Sequence, residues 1–390
     1  MLSFIRFYAW KIWSAVQRFL SSRLFGSLLP SSFGEIAKTP DPEQPKESAS
    51  QTSAINASPK KGVYTYTFNI RVQYQHCLDL MAFGAFGHVY KVDEDIVLKS
   101  RWVYEHLPED ASPRDRYDYA SESIYHFSSF EDERTVSKLL EQRPHPNIVE
   151  VVDTAYPEGV YLRKYRKHSE ITTPTQPRRI LWYQDILRAL LHLHKLRIAH
   201  SDLRIDNVLF DEQGHAFLCD FSSCSAFGEL NHESPHPDFP FPLNGLEKTF
   251  SDATDVFAMG SLIFSMEFGH KPDLAADNGV IVLPPVHTGH GGLDSIIQKA
   301  WLGKYASTVQ MLGDVEALQG NITQDPRGTI QLVSKNELRE RVRQWRRDRE
   351  EHHGCVLYSF LSDEQLQQLA DQYGINIDGE RRLLGYRVPS

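Results

Sequence analysis

The stretch His200–Leu209, followed closely by Leu218–Phe221, constrains the fold of this chain more than any other part of the sequence. Apolar runs on both sides of the turn sequence Asp211–Gly214 predict a β-hairpin. The hairpin would place Asn207 at the start of one strand and Asp220 at the end of the next, so their side-chain oxygens would lie close together. Carboxylate and amide oxygens, with substrate phosphates, suit Mg²⁺. The stretch therefore predicts a two-ligand metal site.

Asp202 lies just upstream of this pair, where it is free to orient a hydroxyl group. The order of residues resembles the catalytic loop of the protein kinases, H-R-D-L-x-x-x-N followed by D-F-G. Here it reads His-Ser-Asp-Leu-Arg-Ile-Asp-Asn at 200–207 and Asp-Phe-Ser at 220–222. Small-molecule phosphotransferases of the aminoglycoside and choline type carry a similar H-x-D-x-x-x-x-N. The stretch alone therefore leaves both classes open.

A second motif, Ala-Phe-Gly-Ala-Phe-Gly-His-Val at 82–89, places two glycines three residues apart between strand-like runs. Such a hairpin allows its backbone to approach an anion closely. The motif resembles the kinase glycine-rich loop G-x-G-x-x-G-x-V, with Ala82 at the first glycine. Lys99 then ends an apolar run. A lysine in that position usually reaches solvent, but here it resembles the V-A-I-K lysine that holds the α- and β-phosphates of ATP. The resemblance implies nucleotide contacts at Ala82, Gly84, Gly87, Val89, Val97, Lys99 and Leu209.

The helix expected between these motifs begins at Phe130, after a predicted extended insertion at 101–128. Its Glu133 resembles the glutamate that pairs with the strand lysine in protein kinases, and Glu131 is the alternative. An acidic helix start that complements the helix dipole is compatible with both residues. The next segment, at 145–149, matches the family sequence H-P-N-I-V. Small-molecule phosphotransferases generally lack it, so it favours the protein kinases.

In the second half of the domain, the resemblance assigns each polar residue a role in phosphoryl transfer. Asp202 would orient the acceptor hydroxyl or accept its proton, and Arg204 would carry positive charge near the γ-phosphate. Asn207 and Asp220 would hold Mg²⁺. Asp255 begins a segment similar to the family's central D-V-W-S-x-G helix and would brace the catalytic-loop backbone, a role compatible with a helix N-cap.

Three departures from the family pattern concern regulation and substrate docking. Ser201 replaces the arginine that grips an activation-loop phosphate, and Ser222 replaces the glycine of D-F-G. No A-P-E sequence is visible where 236–242 reads His-Pro-Asp-Phe-Pro-Phe-Pro. Control by activation-loop phosphorylation is therefore not expected, and recognition of a protein substrate is left open. Tyr305 and Ser307 resemble divergent kinase-like proteins of filamentous fungi.

The sequence outside this domain has a different composition. Residues 1–34 carry four basic residues, no acid and apolar residues at helical spacing, which predicts a basic amphipathic helix. That helix would lie on a membrane surface, act as a mitochondrial presequence or dock on the folded domain. Residues 35–62 are a polar linker rich in proline and serine. The charged segment 335–352 is predicted as a solvated helix, with binding of its basic residues to an acidic surface as the alternative, and 362–373 as another helix.

The sequence therefore predicts an α+β fold with two lobes, a β-rich small lobe and a mainly helical large lobe, with ATP between them. The predicted divisions are 1–34, 35–62, the kinase-like domain at 63–320 and a charged helical extension at 321–390. The expected function is transfer of phosphate from ATP with Mg²⁺ to a serine or threonine of a protein. A nucleotide-binding scaffold without activity and a small-molecule phosphotransferase are the alternatives.

Composition limits the partners and the location of the chain. A net charge of −9 argues against a general nucleic-acid binder. Four cysteines without disulfide or zinc spacing indicate free thiols in a reducing compartment. We therefore expect an intracellular protein, in the cytoplasm or attached to a membrane, with mitochondrial targeting left open.

Overall fold

The computed structural model describes residues 70–231, 242–277, 280–318 and 333–388. The predicted amphipathic segment 1–34 and the linker 35–62 lie outside these residues, so membrane attachment and targeting stay predictions. Nearly all of the 236–242 segment is outside them as well. Among the described helices, none combines the length and the apolar character needed to cross a bilayer.

The small lobe is built on a five-stranded antiparallel sheet in which the fifth strand along the chain lies between the third and the fourth. The strands are β1 (Leu80–Phe83), β2 (Gly87–Lys91), β3 (Ile96–Arg101), β4 (Val151–Asp153) and β5 (Val160–Arg163). The predicted glycine-containing hairpin forms the turn between β1 and β2. A Cβ at Gly87 would lie 2.1 Å from the Ser100 carbonyl oxygen of β3, so only glycine lets the two strands approach this closely.

Helix α1 (Pro113–Gln142) packs beside this sheet and is much longer than the sequence indicated. It begins where the Ser112 hydroxyl accepts a hydrogen bond from the Asp115 backbone amide and Pro113 occupies the first turn. The sequence analysis therefore placed the start of the helix too late, at Phe130, and was wrong to assign 113–128 to an extended insertion. The physical reason is that its buried face carries polar residues, including His126 and Ser129, so no apolar periodicity marks the helix.

The large lobe is mainly helical, with short two-residue and three-residue strands. Its helices are α2 (Gln176–Lys195), α3 (Asp252–Phe268), α4 (Gly291–Trp301) and α5 (Thr308–Ala317). Its strands are β6 (Arg166–Lys167), β7 (Ile198–Ala199), β8 (Val208–Phe210), β9 (Ala216–Leu218), β10 (Ser225–Ala226), β11 (Ala275–Asp277) and β12 (Val280–Val282). β8 and β9 pair antiparallel, which confirms the hairpin predicted for the catalytic segment. The α+β fold with two lobes is likewise confirmed.

The C-terminal extension packs on the small lobe through two helices, α6 (Lys335–His353) and α7 (Asp363–Tyr373). Leu338 and Val342 of α6 are fully buried in one cluster with Ile96 and Leu98 of β3. Leu366 of α7 is buried in another cluster that includes part of α1. Both predicted helices exist, but the interpretation of 335–352 as solvated was wrong, because one face of α6 covers the sheet.

Candidate active site

A three-way contact joins the strand lysine to two carboxylates from distant parts of the chain. β3 carries Lys99, α1 carries Glu133, and Asp220 follows β9 directly. The Lys99 Nζ lies 2.6 Å from Glu133 Oε1 and 2.8 Å from Asp220 Oδ1. Glu133 is only 3% exposed, so the small-lobe helix and the hairpin are tied together in a low-dielectric setting. Glu131, the alternative partner, instead pairs with Arg134 at 2.7 Å.

Burial and neighbouring charge act in opposite directions on these three groups. Burial alone would lower the pKa of Lys99, but the Asp220 and Glu133 carboxylates outweigh it and raise that pKa. Burial would raise the pKa of Asp220, yet Lys99 and the Ser222 hydrogen bonds hold it well below its usual range. For Glu133 burial prevails over Lys99 and raises the pKa to about 7. Asp220 is therefore a firmly ionised carboxylate, whereas Glu133 titrates near neutral pH.

Asp202 is fixed by the predicted metal-binding amide. The Asn207 Nδ2 donates to the Asp202 carbonyl oxygen at 2.8 Å and to Asp202 Oδ2 at 3.0 Å. Because both contacts use the amide nitrogen, the amide oxygen is the atom left to bind a cation. The Asn207 backbone carbonyl oxygen accepts from the backbone amide that precedes Asp220 at 3.0 Å, so the two residues are neighbours, and their side-chain oxygens are of the kind that Mg²⁺ prefers. Arg204 lies 3.6 Å from Asp202 Oδ2 and 3.7 Å from Asp206, on the exposed side of the loop.

Asp255 of α3 binds the backbone of the predicted catalytic loop. Its Oδ2 accepts from the His200 backbone amide at 2.7 Å, and its Oδ1 accepts from the Ser201 amide at 3.0 Å. His194 of α2 contacts the same carboxylate at 2.8 Å. Asp255 is fully buried, and its pKa is lowered because these hydrogen bonds outweigh the effect of burial. The bracing role predicted for Asp255 is confirmed. Its hydrogen bond to the Ser201 amide holds Ser201 in a left-handed conformation, with φ 65°.

The residues predicted to touch the nucleotide lie on two sheets. Ala82 pairs with Val89 across the glycine hairpin, whose turn is closed by a Gly84 amide to Gly87 carbonyl hydrogen bond of 2.8 Å. Val97 and Lys99 are two residues apart in β3, so their side chains lie on the same face of the sheet. Leu209, half-buried in β8, lies opposite Lys167 of β6. The Lys167 Nζ donates to the Met81 carbonyl oxygen of β1 at 2.9 Å, so the two sheets approach each other at this edge.

Two site features escaped the sequence analysis. The Ser222 hydroxyl donates to Asp220 Oδ1 at 2.6 Å, so the serine at the glycine position of D-F-G orients the carboxylate predicted to bind Mg²⁺. Leu162 of β5 lies opposite Val97 of β3 and therefore faces the same side of the sheet. The replaced glycine was the available signal for Ser222. The register of β5 determines on which face of the sheet the Leu162 side chain lies, and the sequence does not reveal that register.

Comparisons with known proteins agree with this geometry. Residues 83–280, just over half of the chain, match the family described as protein kinase domain. Protein kinase C epsilon type of Oryctolagus cuniculus is 26% identical over 43% of this chain and 22% of its own length. Protein kinase C eta type of Mus musculus is 32% identical over 32% of this chain and 18% of its own length. Serine/threonine-protein kinase Sgk1 of Xenopus tropicalis is 30% identical over 25% of this chain and 24% of its own length. The chain thus spans less than a quarter of the length of these relatives.

Proposed function

The chain belongs to the protein kinase domain family, and on that premise we propose that it is an active serine/threonine protein kinase. It uses ATP and Mg²⁺ and phosphorylates a serine or threonine hydroxyl of a protein substrate. Its activity does not depend on phosphorylation of the activation loop. The serine/threonine kinases among its relatives support the choice of acceptor.

The observation that carries this proposal is the contact of Lys99 with both Glu133 and Asp220. An ammonium held between two carboxylates is fixed in position before any substrate binds. Fixed charge is what phosphoryl transfer requires, because the reaction depends mainly on positioning and on stabilising the phosphate oxygens. A nucleotide-binding scaffold would also use Lys99, but it would not need Asp202, the residue that handles the acceptor hydroxyl and that this chain retains.

The residues divide the work of the reaction. Bound Mg²⁺ would offset the negative charge of the phosphates, and Asn207 and Asp220 supply the oxygens that would hold it. Lys99 provides a fixed positive charge for the α- and β-phosphates of the substrate ATP. Asp202, oriented by the Asn207 amide, accepts the proton of the attacking hydroxyl or aligns that hydroxyl. Arg204 adds a planar positive group near the transferred phosphoryl group.

The absence of phosphorylation control is proposed from the residues at two positions. Ser201 carries no guanidinium to grip a phosphate, and its backbone is instead fixed by Asp255. Ser222 has a hydroxyl that binds Asp220 Oδ1, which opposes release of this carboxylate from the site. Both features favour one stable arrangement of the catalytic segment rather than a switch.

The test is Mg²⁺-dependent transfer of labelled phosphate from ATP to serine and threonine peptide libraries by the full-length protein. Asp202→Asn is the matched inactive control, because it keeps the size of the side chain and removes the carboxylate. Wild-type labelling that Asp202→Asn abolishes supports the proposal. ATP turnover without peptide labelling would point to a small-molecule acceptor, and nucleotide binding without turnover would point to a scaffold.

A further inference from the structure

Asp132, the neighbour of Glu133 on α1, faces away from the cleft and binds the C-terminal segment. Its Oδ1 accepts from Arg381 Nε at 2.9 Å and from the Leu383 backbone amide at 3.1 Å, and its Oδ2 accepts from the Arg382 amide at 2.6 Å. The residue is 1% exposed. A buried carboxylate with a cation and two backbone amides around it is a specific attachment point, because losing any donor leaves buried charge poorly compensated.

Arg382 extends from the same attachment point to the metal-binding segment. Its Nη2 donates to the Ser222 carbonyl oxygen at 2.7 Å and its Nη1 donates to the Ser223 carbonyl oxygen at 3.2 Å. Ser222 in turn donates to Asp220 Oδ1. One arginine therefore connects the rear of α1 with the backbone that immediately follows Asp220.

The segment is anchored to the large lobe beyond these contacts. Leu383 is 2% exposed and belongs to the same core cluster as Phe221. The Tyr386 hydroxyl donates to the Leu196 carbonyl oxygen at the end of α2. Residues 381–386, here called the C-terminal strap, thus contact the helix that carries Glu133, the segment that carries Asp220 and the large lobe.

We propose that the C-terminal strap positions the catalytic groups of this kinase, an inference that rests on the proposed function. Asp132 and Glu133 are consecutive, so attaching one to the strap fixes the rotation of α1 about its axis and keeps the other directed at Lys99. Arg382 fixes the backbone two residues after Asp220. Together these contacts hold both carboxylates at the distances at which Lys99 bridges them. The strap is a positioning device, because it binds the neighbours of the catalytic groups, Asp132 and Ser222, rather than the catalytic groups themselves.

The test compares two arginine variants of the full-length protein. Arg382→Ala removes both carbonyl contacts, whereas Arg387→Ala alters an exposed arginine for which no hydrogen bond or ion pair occurs among the described residues. We expect kcat of Arg382→Ala to fall on the order of 10- to 100-fold, because displacing a catalytic group by about 1 Å has costs of this size. KM for a peptide selected from the serine and threonine libraries should change little. Arg387→Ala should have the kcat and KM of the wild type.

Amide hydrogen exchange provides a readout that does not depend on activity. Arg382→Ala should lose protection in 126–136 and in 219–225 while keeping it in α2 and α3. If both kcat and local protection stay at wild-type values, the strap does not position the site and the inference is overturned. If the wild type itself fails to phosphorylate, the proposed function has failed, and the exchange pattern alone then decides whether the strap restrains α1 and Asp220.

A conservative variant covers the case in which Arg382→Ala does not fold. Arg382→Lys retains the charge and length but has a single ammonium, which lacks the planar fork that spans two carbonyl oxygens. A partial loss of kcat with the same local loss of protection supports the strap. Wild-type kcat and protection in Arg382→Lys, together with global unfolding of Arg382→Ala, would assign Arg382 a purely structural role and overturn the inference.

Discussion

The two faces of strand β3 serve different purposes. Val97 and Lys99 point toward the cleft, where Lys99 meets two carboxylates. Ile96 and Leu98 point the other way and are fully buried beneath α6. The cleft face thus holds charge in a buried setting, which costs stability unless it is paired, whereas the rear face gains stability from apolar burial.

The polar contacts on the rear face differ from those in the cleft as well. Arg341 of α6 bridges Asp93 and Asp95 at 2.7 and 2.8 Å, and Arg346 pairs with Glu158 at 2.6 Å. The Arg341 pairs are partly exposed, so each contributes little to stability. Their role is to fix where α6 sits. One strand thus combines a face that carries the charged groups of the candidate site with a face that stabilises the fold.

The largest effect is expected for Lys99→Met on the cleft face. It removes the cation shared by Glu133 and Asp220, so kcat/KM for phosphotransfer should fall on the order of 10³-fold. Lys91→Met is the control, because the ion pair that Lys91 forms among the described residues is with the exposed Glu94. Steady-state kinetics measure the effect, and circular dichroism checks the fold. A loss of less than about tenfold would remove Lys99 from the phosphate-binding role.

On the rear face, Leu338→Ala should act on stability. Leu338 is 0% exposed and packs in the cluster with β3, so the free energy of unfolding should fall by about 3 kcal/mol. Urea denaturation of the full-length protein measures it. kcat at a temperature where the variant remains folded should stay within about twofold of the wild type. A kcat loss as large as that of Lys99→Met would contradict the division between the faces.

The pH dependence of activity tests Glu133. Because its pKa is about 7, ionised Glu133 predominates only above neutral pH, and kcat should rise about tenfold between pH 6 and 8. Glu133→Gln should be less active and lose this dependence, whereas Glu131→Gln should keep it. A pH profile unchanged in Glu133→Gln would assign the dependence to another group.

Glu133 should affect the free energy of unfolding with a pH dependence opposite to that of kcat. Burial raises the pKa of Glu133 above its ordinary value, so its contribution favours the folded state at low pH. That contribution is lost as pH rises through about 7. The difference in free energy of unfolding between pH 6 and 8, measured by urea denaturation, should therefore shrink in Glu133→Gln. The cleft face is least favourable to folding under the conditions in which it is most active.

The smallest effect is expected on the outer side of α6. Arg343 pairs with Glu340 one turn away, and both side chains are about half exposed, at 49% and 58%. Arg343→Ala should leave the free energy of unfolding unchanged within the error of urea denaturation, because solvent screens an exposed ion pair. A change comparable to that of Leu338→Ala would mean that charge rather than apolar burial secures α6.

Much of the cleft was predictable from the sequence because its motifs are local. The hairpin that brings Asn207 and Asp220 together depends on a turn and two short apolar runs, and the bracing Asp255 stands at a helix start. The buried face of α1 was not predictable, since His126 and Ser129 interrupt the apolar pattern on which a helix prediction depends. The facing of Leu162 was not predictable either, because a strand's register is set by its partner.

By itself the sequence determined the family, the order of the motifs and the candidate catalytic groups, because each depends on residues that are neighbours along the chain. Only the tertiary structure decided what the C-terminal extension does. Arg341 and Asp93 are 248 positions apart, and Arg381 and Asp132 are 249 apart. An arginine that will pair with a distant carboxylate has the same local sequence pattern as one that will face water. The fold alone brings such pairs together, and it placed the extension on the rear of the sheet and behind Glu133.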